Sequence, residues 1–445
     1  MRLAPLTMEE DNLLFIGAIL SIALGGLSLR LVRRNQTLVW NEAIAAHILC
    51  LMFITKGIQN AATGYVNQST GTEWQFWVEL AFSMDYVFSS SILAIALLYP
   101  VPILRNIKQV KIGLSLVGGF TIYRLTLDIV GLNFTVFGLP GIIYYAAAII
   151  WGSVYFKFRL ISPEKKNEST RNISMLAGLF TTLVLGHIWM WWPGLLLQAE
   201  YFFYFDLGGG NFTSTLWDYM WMSGYSIGIA AGLAMVSTEI YQAINGDSNK
   251  LLYILLPYFI LGVVGFSVYT AYDDAGFVIN SQRTDILQIW SVFTTNLHFT
   301  IARPIIAMYI LLKFGLFDIN EETKPMAKMM SIILIVVATS AILELVQAVI
   351  PINQMISAAL LGIIIAFGIG WEEKSFNNLV TNQAHLRKGI DKKWFPEISI
   401  PRKYINRIDL ACLVYCLISL LVAFVIWEMD LLYQIVLERG AENDI

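Results

Sequence analysis

The chain has 445 residues, of which 57% are hydrophobic and only 14% charged, where soluble globular proteins carry roughly a quarter charged residues. No polar stretch is long enough for a soluble domain of roughly 100 residues, and a net charge of −3, small and spread, argues neither for a nucleic-acid partner nor for a polybasic membrane anchor. The composition predicts an all-α, polytopic transmembrane helical bundle, a multi-pass protein of the cell membrane whose first partner is the lipid bilayer.

The N-terminus, Met1-Arg2-Leu3-Ala4-Pro5 followed by Glu9-Glu10-Asp11, lacks the short apolar core and cleavage site of a signal peptide, so the first apolar run is expected to be retained. A span needs about 20 mostly apolar residues. On that criterion spans are predicted over 12–32, 41–61, 76–100, 111–131, 138–157, 173–195, 217–240, 251–270, 286–313, 328–350, 354–371 and 408–430, about twelve in all. Only Pro351 to Gln354 separates the tenth from the eleventh, so that pair reads either as two spans or as a re-entrant hairpin. Sequence order suggests an N-terminal module, 1–319, of about nine spans, and a C-terminal module, 320–445, of about three.

Lys and Arg accumulate on the cytoplasmic side of a membrane protein. Arg30, Arg33 and Arg34 follow span one; Arg105, Lys108 and Lys111 follow span three; Lys157, Arg159, Lys165, Lys166 and Arg171 follow span five. The loop 372–407 follows span eleven and is again basic. This parity places all four loops inside and both termini outside. The intervening loops 62–75, 132–137 and 196–216 contain no Lys or Arg and read as outside, with Gly208-Gly209-Gly210 as a hinge. Glycosylation triplets at Asn67, Asn133 and Asn211 fall on that side, but Asn167 and Asn172 match on the inner side.

An ionisable group within a span is costly unless it faces a polar interior. Lys56, Glu79, Asp85, Arg124, Asp128, His187 and Glu344 all fall in the expected outer half, and they form the candidate ligand-binding or ion-pair set. Arg124 and Asp128, four apart, share a helix face, and Asp85 on antiparallel span three is the expected partner of Arg124, with Lys56 opposite Glu79. A pocket open to the outside and a set of structural ion pairs are the two readings of this pattern. The stretch Gly186-His187-Ile188-Trp189-Met190-Trp191-Trp192-Pro193-Gly194 suits either an interfacial aromatic belt or a grip on a cationic ligand. His187 and His298 lack a second ligand at helical spacing, so no metal site is predicted. Cys50, Cys412 and Cys416 lie in apolar runs and read as packing residues. No nucleophile with a base, phosphate loop or zinc motif is present, so the chain is not expected to be an enzyme or to hold a cofactor. Spans seven and eight also lack a core Lys for a retinal Schiff base.

Span nine ends in Ile301-Ala302-Arg303-Pro304-Ile305-Ile306-Ala307-Met308-Tyr309-Ile310-Leu311-Leu312-Lys313-Phe314-Gly315-Leu316-Phe317-Asp318-Ile319. This resembles the exit of the multi-pass sensor modules that precede bacterial and archaeal histidine kinases, and Glu344-Leu345-Val346-Gln347 is similar to related modules. The resemblance implies a ligand sensor with a hinge at Pro304. No kinase domain follows, since the chain re-enters the membrane, so the basic loop 372–407 would have to recruit a separate cytoplasmic partner. Secondary transport of a small solute and a non-catalytic scaffold are the alternatives.

Overall fold

In a computed structural model the described residues are 8–69, 72–130, 142–197, 216–247, 249–274, 287, 289–291, 293–317, 319–334 and 384–429. They form helices without any strand, as expected where backbone groups must bond within each segment because lipid offers no partners. In chain order the helices are α1 (Met8–Arg34), α2 (Trp40–Gln68), α3 (Thr72–Leu98), α4 (Ile107–Ile129), α5 (Ile142–Arg159), α6 (Glu168–Trp189), α7 (Trp192–Leu197), α8 (Leu216–Ile244), α9 (Leu251–Asp274), α10 (Arg303–Lys313), α11 (Arg402–Ile405) and α12 (Ile408–Glu428). Eight segments among the described residues are long and apolar enough to cross a membrane. The predicted span 354–371, most of 328–350 and the turn between them lie outside the described residues, as do Glu344, Asp318 and the Gly208-Gly209-Gly210 hinge.

Contacts divide the chain into two units, 1–143 with 316–333 and 392–445, and 144–315 with 334–391. This division differs from the two modules suggested by sequence order. In the first unit α2 packs against α1 and α3, and α12 against α2, α3 and α4. The α1–α2 contact is a close one. A Cβ on Gly25 would lie 2.9 Å from the Cys50 carbonyl oxygen, and one on Gly57 would lie 2.8 Å from that of Ala18. Small residues bring helix backbones together where no water is available to drive apolar association.

One end of this unit is tied by polar contacts. Arg34 meets Glu322 at 2.7 Å, and Arg33 pairs with Asp409. Arg402 donates to the carbonyls of Gln36 and Leu38 at 3.0 and 2.8 Å, Arg105 donates to that of Lys393, and the Trp40 indole donates to that of Pro396 at 3.2 Å. The loops following α1 and α3 and the segment leading into α12 thus meet at one end.

In the second unit α6 is central: every residue from Ile173 to Trp189 is buried, and α8, α9 and α10 pack around it. Its start is fixed by Asn167, whose side chain accepts from Thr170 N at 2.9 Å while the Thr170 hydroxyl accepts from Asn167 N at 3.0 Å, a reciprocal cap. The Asn167 amide also donates to Gly389 O at 3.0 Å, and that of Asn172 to His385 O at 3.2 Å. The Asn167 and Asn172 side chains are therefore occupied in folding contacts. Before Pro304 the helix adopts a π-helical stretch, Asn296–Ala302, so the irregularity expected at this proline is a widened turn.

Candidate functional site

The first unit holds a polar layer between α3 and α4. Glu79, Ser83, Tyr86 and Ser90 follow one another at intervals of four, three and four residues, which places them on one face of α3. Thr121, Arg124 and Asp128 do the same on antiparallel α4. The Glu79 carboxyl neighbours that of Asp128 and accepts from Ser83 Oγ at 3.0 Å. Tyr86 OH donates to Asp128 Oδ1 at 3.3 Å, and Arg124 Cζ lies 4.4 Å from the centre of the Tyr86 ring. One turn further, Thr121 Oγ1 donates to Ser90 Oγ at 2.5 Å. Glu79, Arg124 and Asp128 are all buried, and Leu125 with Val422 and Ile426 of α12 packs around Tyr86.

The layer continues into a cavity of about 320 Å³ between α2, α3, α4 and α12, whose wall includes Ser90, Ser91, Ser115, Thr121 and Tyr415. Of the candidate residues, Glu79, Arg124 and Asp128 thus come together around Tyr86. Asp85, half-buried, is the neighbour of Tyr86 in α3, and Lys56 donates to Gln59 Oε1 at 3.0 Å within α2. Ser83, Tyr86, Ser90 and Thr121 escape a search for charges, although the spacing that joins them to Glu79 and Arg124 is visible in the sequence. Cys416 lies in the apolar core beneath, with Cys412 packed against it.

The second unit gathers a different set. His187 Nε2 is 3.2 Å from Thr294 Oγ1, which also accepts from the Trp191 indole at 2.9 Å. His298, on the π-helical stretch, is 3.1 Å from Tyr258 OH through Nδ1, and the two imidazoles stack at 6.2 Å. Spacing along the chain leaves these histidines apart; the fold brings them together from two elements. Arg303 donates to Leu183 O at 2.7 Å, with its guanidinium 4.3 Å from the Phe299 ring centre. Trp189 and Trp191 are fully buried, and Trp189 and Trp192 donate to the carbonyls of Gly228 and Phe259 at 3.0 and 3.1 Å. This stretch is core, which corrects the belt reading: each indole N–H has a partner inside the bundle and does not need the interface. A crevice of about 590 Å³ lined by α5, α6 and α8 is almost wholly apolar and brings no charge to the site.

At the ends of α5, α6 and α8 lies an ion cluster that the sequence did not single out. Arg159 clasps Glu239 with two hydrogen bonds at 2.9 and 2.8 Å, both side chains being fully buried, and Tyr155 OH donates to Glu239 at 2.7 Å. Asp247 receives Arg159 at 3.0 Å, Arg171 at 2.7 Å and Lys166. Burial pushes the Asp247 carboxyl up, but the Lys166 hydrogen bond and the charges of Arg159, Arg171 and Lys166 outweigh it and hold it below the ordinary carboxylate range.

No family model, curated protein or solved structure matches the chain.

Proposed function

We propose that this multi-pass membrane protein binds a small cationic solute, in competition with a proton, in the polar layer between α3 and α4, as a receptor-like module. The observation that carries the reading is the contact between the Glu79 and Asp128 carboxyls inside an apolar bundle. Two neighbouring buried carboxyls are costly to hold charged together, so the pair favours either a proton on one of them or a cation between them. The charge balance agrees: within the layer Arg124 stands against Glu79 and Asp128, one positive charge against two carboxyls. Asp128 also lies in the last turn of α4, where the helix dipole presents negative charge and favours a cation. The parity of the basic loops puts this layer in the outer half of the bilayer, accessible to an external ligand. In this reading the output runs through the basic segment to a cytoplasmic partner.

Secondary transport is the second reading. It is favoured by the continuation of the polar layer through Ser90 and Thr121 into the cavity whose wall Ser91, Ser115 and Tyr415 also help to form, which extends the site along the helices.

The test is the thermal stability of the purified full chain against a panel of monovalent cations and small amines, at mildly acid and mildly alkaline pH. A ligand that binds the folded state raises the unfolding temperature. One amine or ion should stabilise the parent more strongly at alkaline pH, and Glu79→Gln or Asp128→Asn, still monodisperse, should lose that shift. Uptake of the compound into proteoliposomes then selects transport over reception. If no compound shifts the parent and the variants are only less stable, the layer is a structural set of bonds and the scaffold reading takes its place.

A further inference from the structure

The membrane-entry end of α12 presents a surface that the polar layer does not use. α11 is anchored by Arg402, which donates to the carbonyls of Gln36 and Leu38, and this leaves the next residues facing outward. Lys403, Tyr404 and Arg407 are exposed. Lys403 Nζ lies 5.2 Å from the Tyr404 ring centre and Arg407 Cζ lies 5.6 Å from it, so two cations bracket one aromatic ring. Among the described residues neither cation forms an ion pair, whereas Arg33 and Arg34 at the same end of the unit each meet a carboxylate.

Above them the same face continues along α12. From Lys403 and Arg407 the steps of three and four lead to Leu410, Val414, Leu417, Leu421 and Phe424, which share one helix face. These five side chains are between 44 and 61% exposed, while Cys416, Val422, Ala423 and Ile426 on the other side of α12 are buried. From Leu410 to Phe424 the stripe rises about 21 Å at 1.5 Å per residue, within a hydrocarbon core of about 30 Å. The face is therefore cationic and aromatic at its foot and apolar for the length of an acyl chain. Any lipid would cover the apolar stripe, but the uncompensated pair at its foot selects for a negative headgroup.

We propose that Lys403, Tyr404 and Arg407 bind the phosphate headgroup of an anionic phospholipid whose acyl chains lie along the exposed face of α12. Each basic residue near a membrane surface contributes a comparable increment toward anionic lipid, so removing both should weaken binding about 30-fold.

The experiment titrates short-chain phosphatidylglycerol, short-chain phosphatidylcholine and inorganic phosphate into the detergent-solubilised full chain and follows the unfolding temperature. Phosphatidylglycerol should stabilise the parent, with half-saturation moved about 30-fold higher in the double variant Lys403→Gln, Arg407→Gln. The control double variant Lys108→Gln, Lys111→Gln, which removes the same charge from the start of α4, should titrate like the parent. The charge-preserving swap Lys403→Arg, Arg407→Lys should retain the shift. Equal stabilisation by phosphatidylcholine, full reproduction by phosphate alone, or equal losses in the two glutamine double variants would each overturn the proposal. Should the Lys403→Gln, Arg407→Gln chain not fold, the parent is titrated in rising salt, where the phosphatidylglycerol effect must decline; a salt-independent shift overturns it as well.

Discussion

Asp247 stands where three cations converge, and a neutral side chain of the same shape there would leave Lys166 and Arg171 without their anion and Arg159 with Glu239 alone. Asp247→Asn is therefore expected to lower stability by about 1–3 kcal/mol, as for loss of one member of a partly buried charged network. The pH dependence has a definite sign. The folded carboxyl is held below its ordinary value of 3.8, so its contribution is whole above that pH and fades as the pH falls through the folded value. Thermal unfolding followed into acid should show the parent losing stability more steeply than the variant below that point, and coincident acid limbs would remove Asp247 from the account. Nothing in the sequence singles out this residue. Arg159 and Asp247 are 88 positions apart, and each alone reads as an ordinary charge at a span end. Glu239, for its part, becomes significant only when α5 carries Arg159 and Tyr155 against it.

At the scale of the element, helical spacing was the informative signal. Arg124 and Asp128 were recognisable as one face of α4 from their separation alone, while the face opposite required reading Glu79, Ser83, Tyr86 and Ser90 together, of which only Glu79 is charged. Asp85 draws attention by its charge but sits one position off that stripe. The glycines show a similar limit. Gly25 and Gly26 are indistinguishable in the sequence, yet a Cβ at Gly25 would meet Ile54 at 2.5 Å and the Cys50 carbonyl at 2.9 Å, whereas at Gly26 it has nothing within 4 Å. Because a backbone carbonyl cannot move aside without shifting α2, Gly25→Ala should cost about 1–3 kcal/mol through separation of α1 from α2. Gly26→Ala, gaining helix propensity without a clash, should be neutral or more stable by up to about 1 kcal/mol. Unfolding temperatures of the two variants side by side decide this, and equal effects would mean that the α1–α2 approach is not close enough to require glycine.

For the molecule as a whole, hydropathy located the long helices because the bilayer imposes both length and apolarity on each of them. Which side each loop faces depends on counting crossings, and the count is weakest at the closely spaced pair 328–350 and 354–371. The backbone bond from Ala384 N to Lys313 O at 2.8 Å bypasses that pair: the end of α10 and Ala384 of the basic segment lie together whatever the course of the chain between them. Asn167 and Asn172 bring the loop between α5 and α6 to the same segment. Glu73 lies near the start of α3, at the far end of that helix from the loop in which Arg105 meets Lys393. These contacts turn sidedness into a two-site experiment in a chain whose Cys50, Cys412 and Cys416 have been replaced by alanine. With basic loops inside, Glu73→Cys should react with a membrane-impermeant maleimide on intact cells, and Lys388→Cys only after permeabilisation. The opposite pattern would move Glu79 and Asp128 to the inner half of the bilayer, where the same carboxyl pair would meet a cytoplasmic solute, and the receptor reading for an external ligand would have to be given up. Reaction at both sites on intact cells would mean that the crossings between them had been miscounted, and with them the depth assigned to the polar layer.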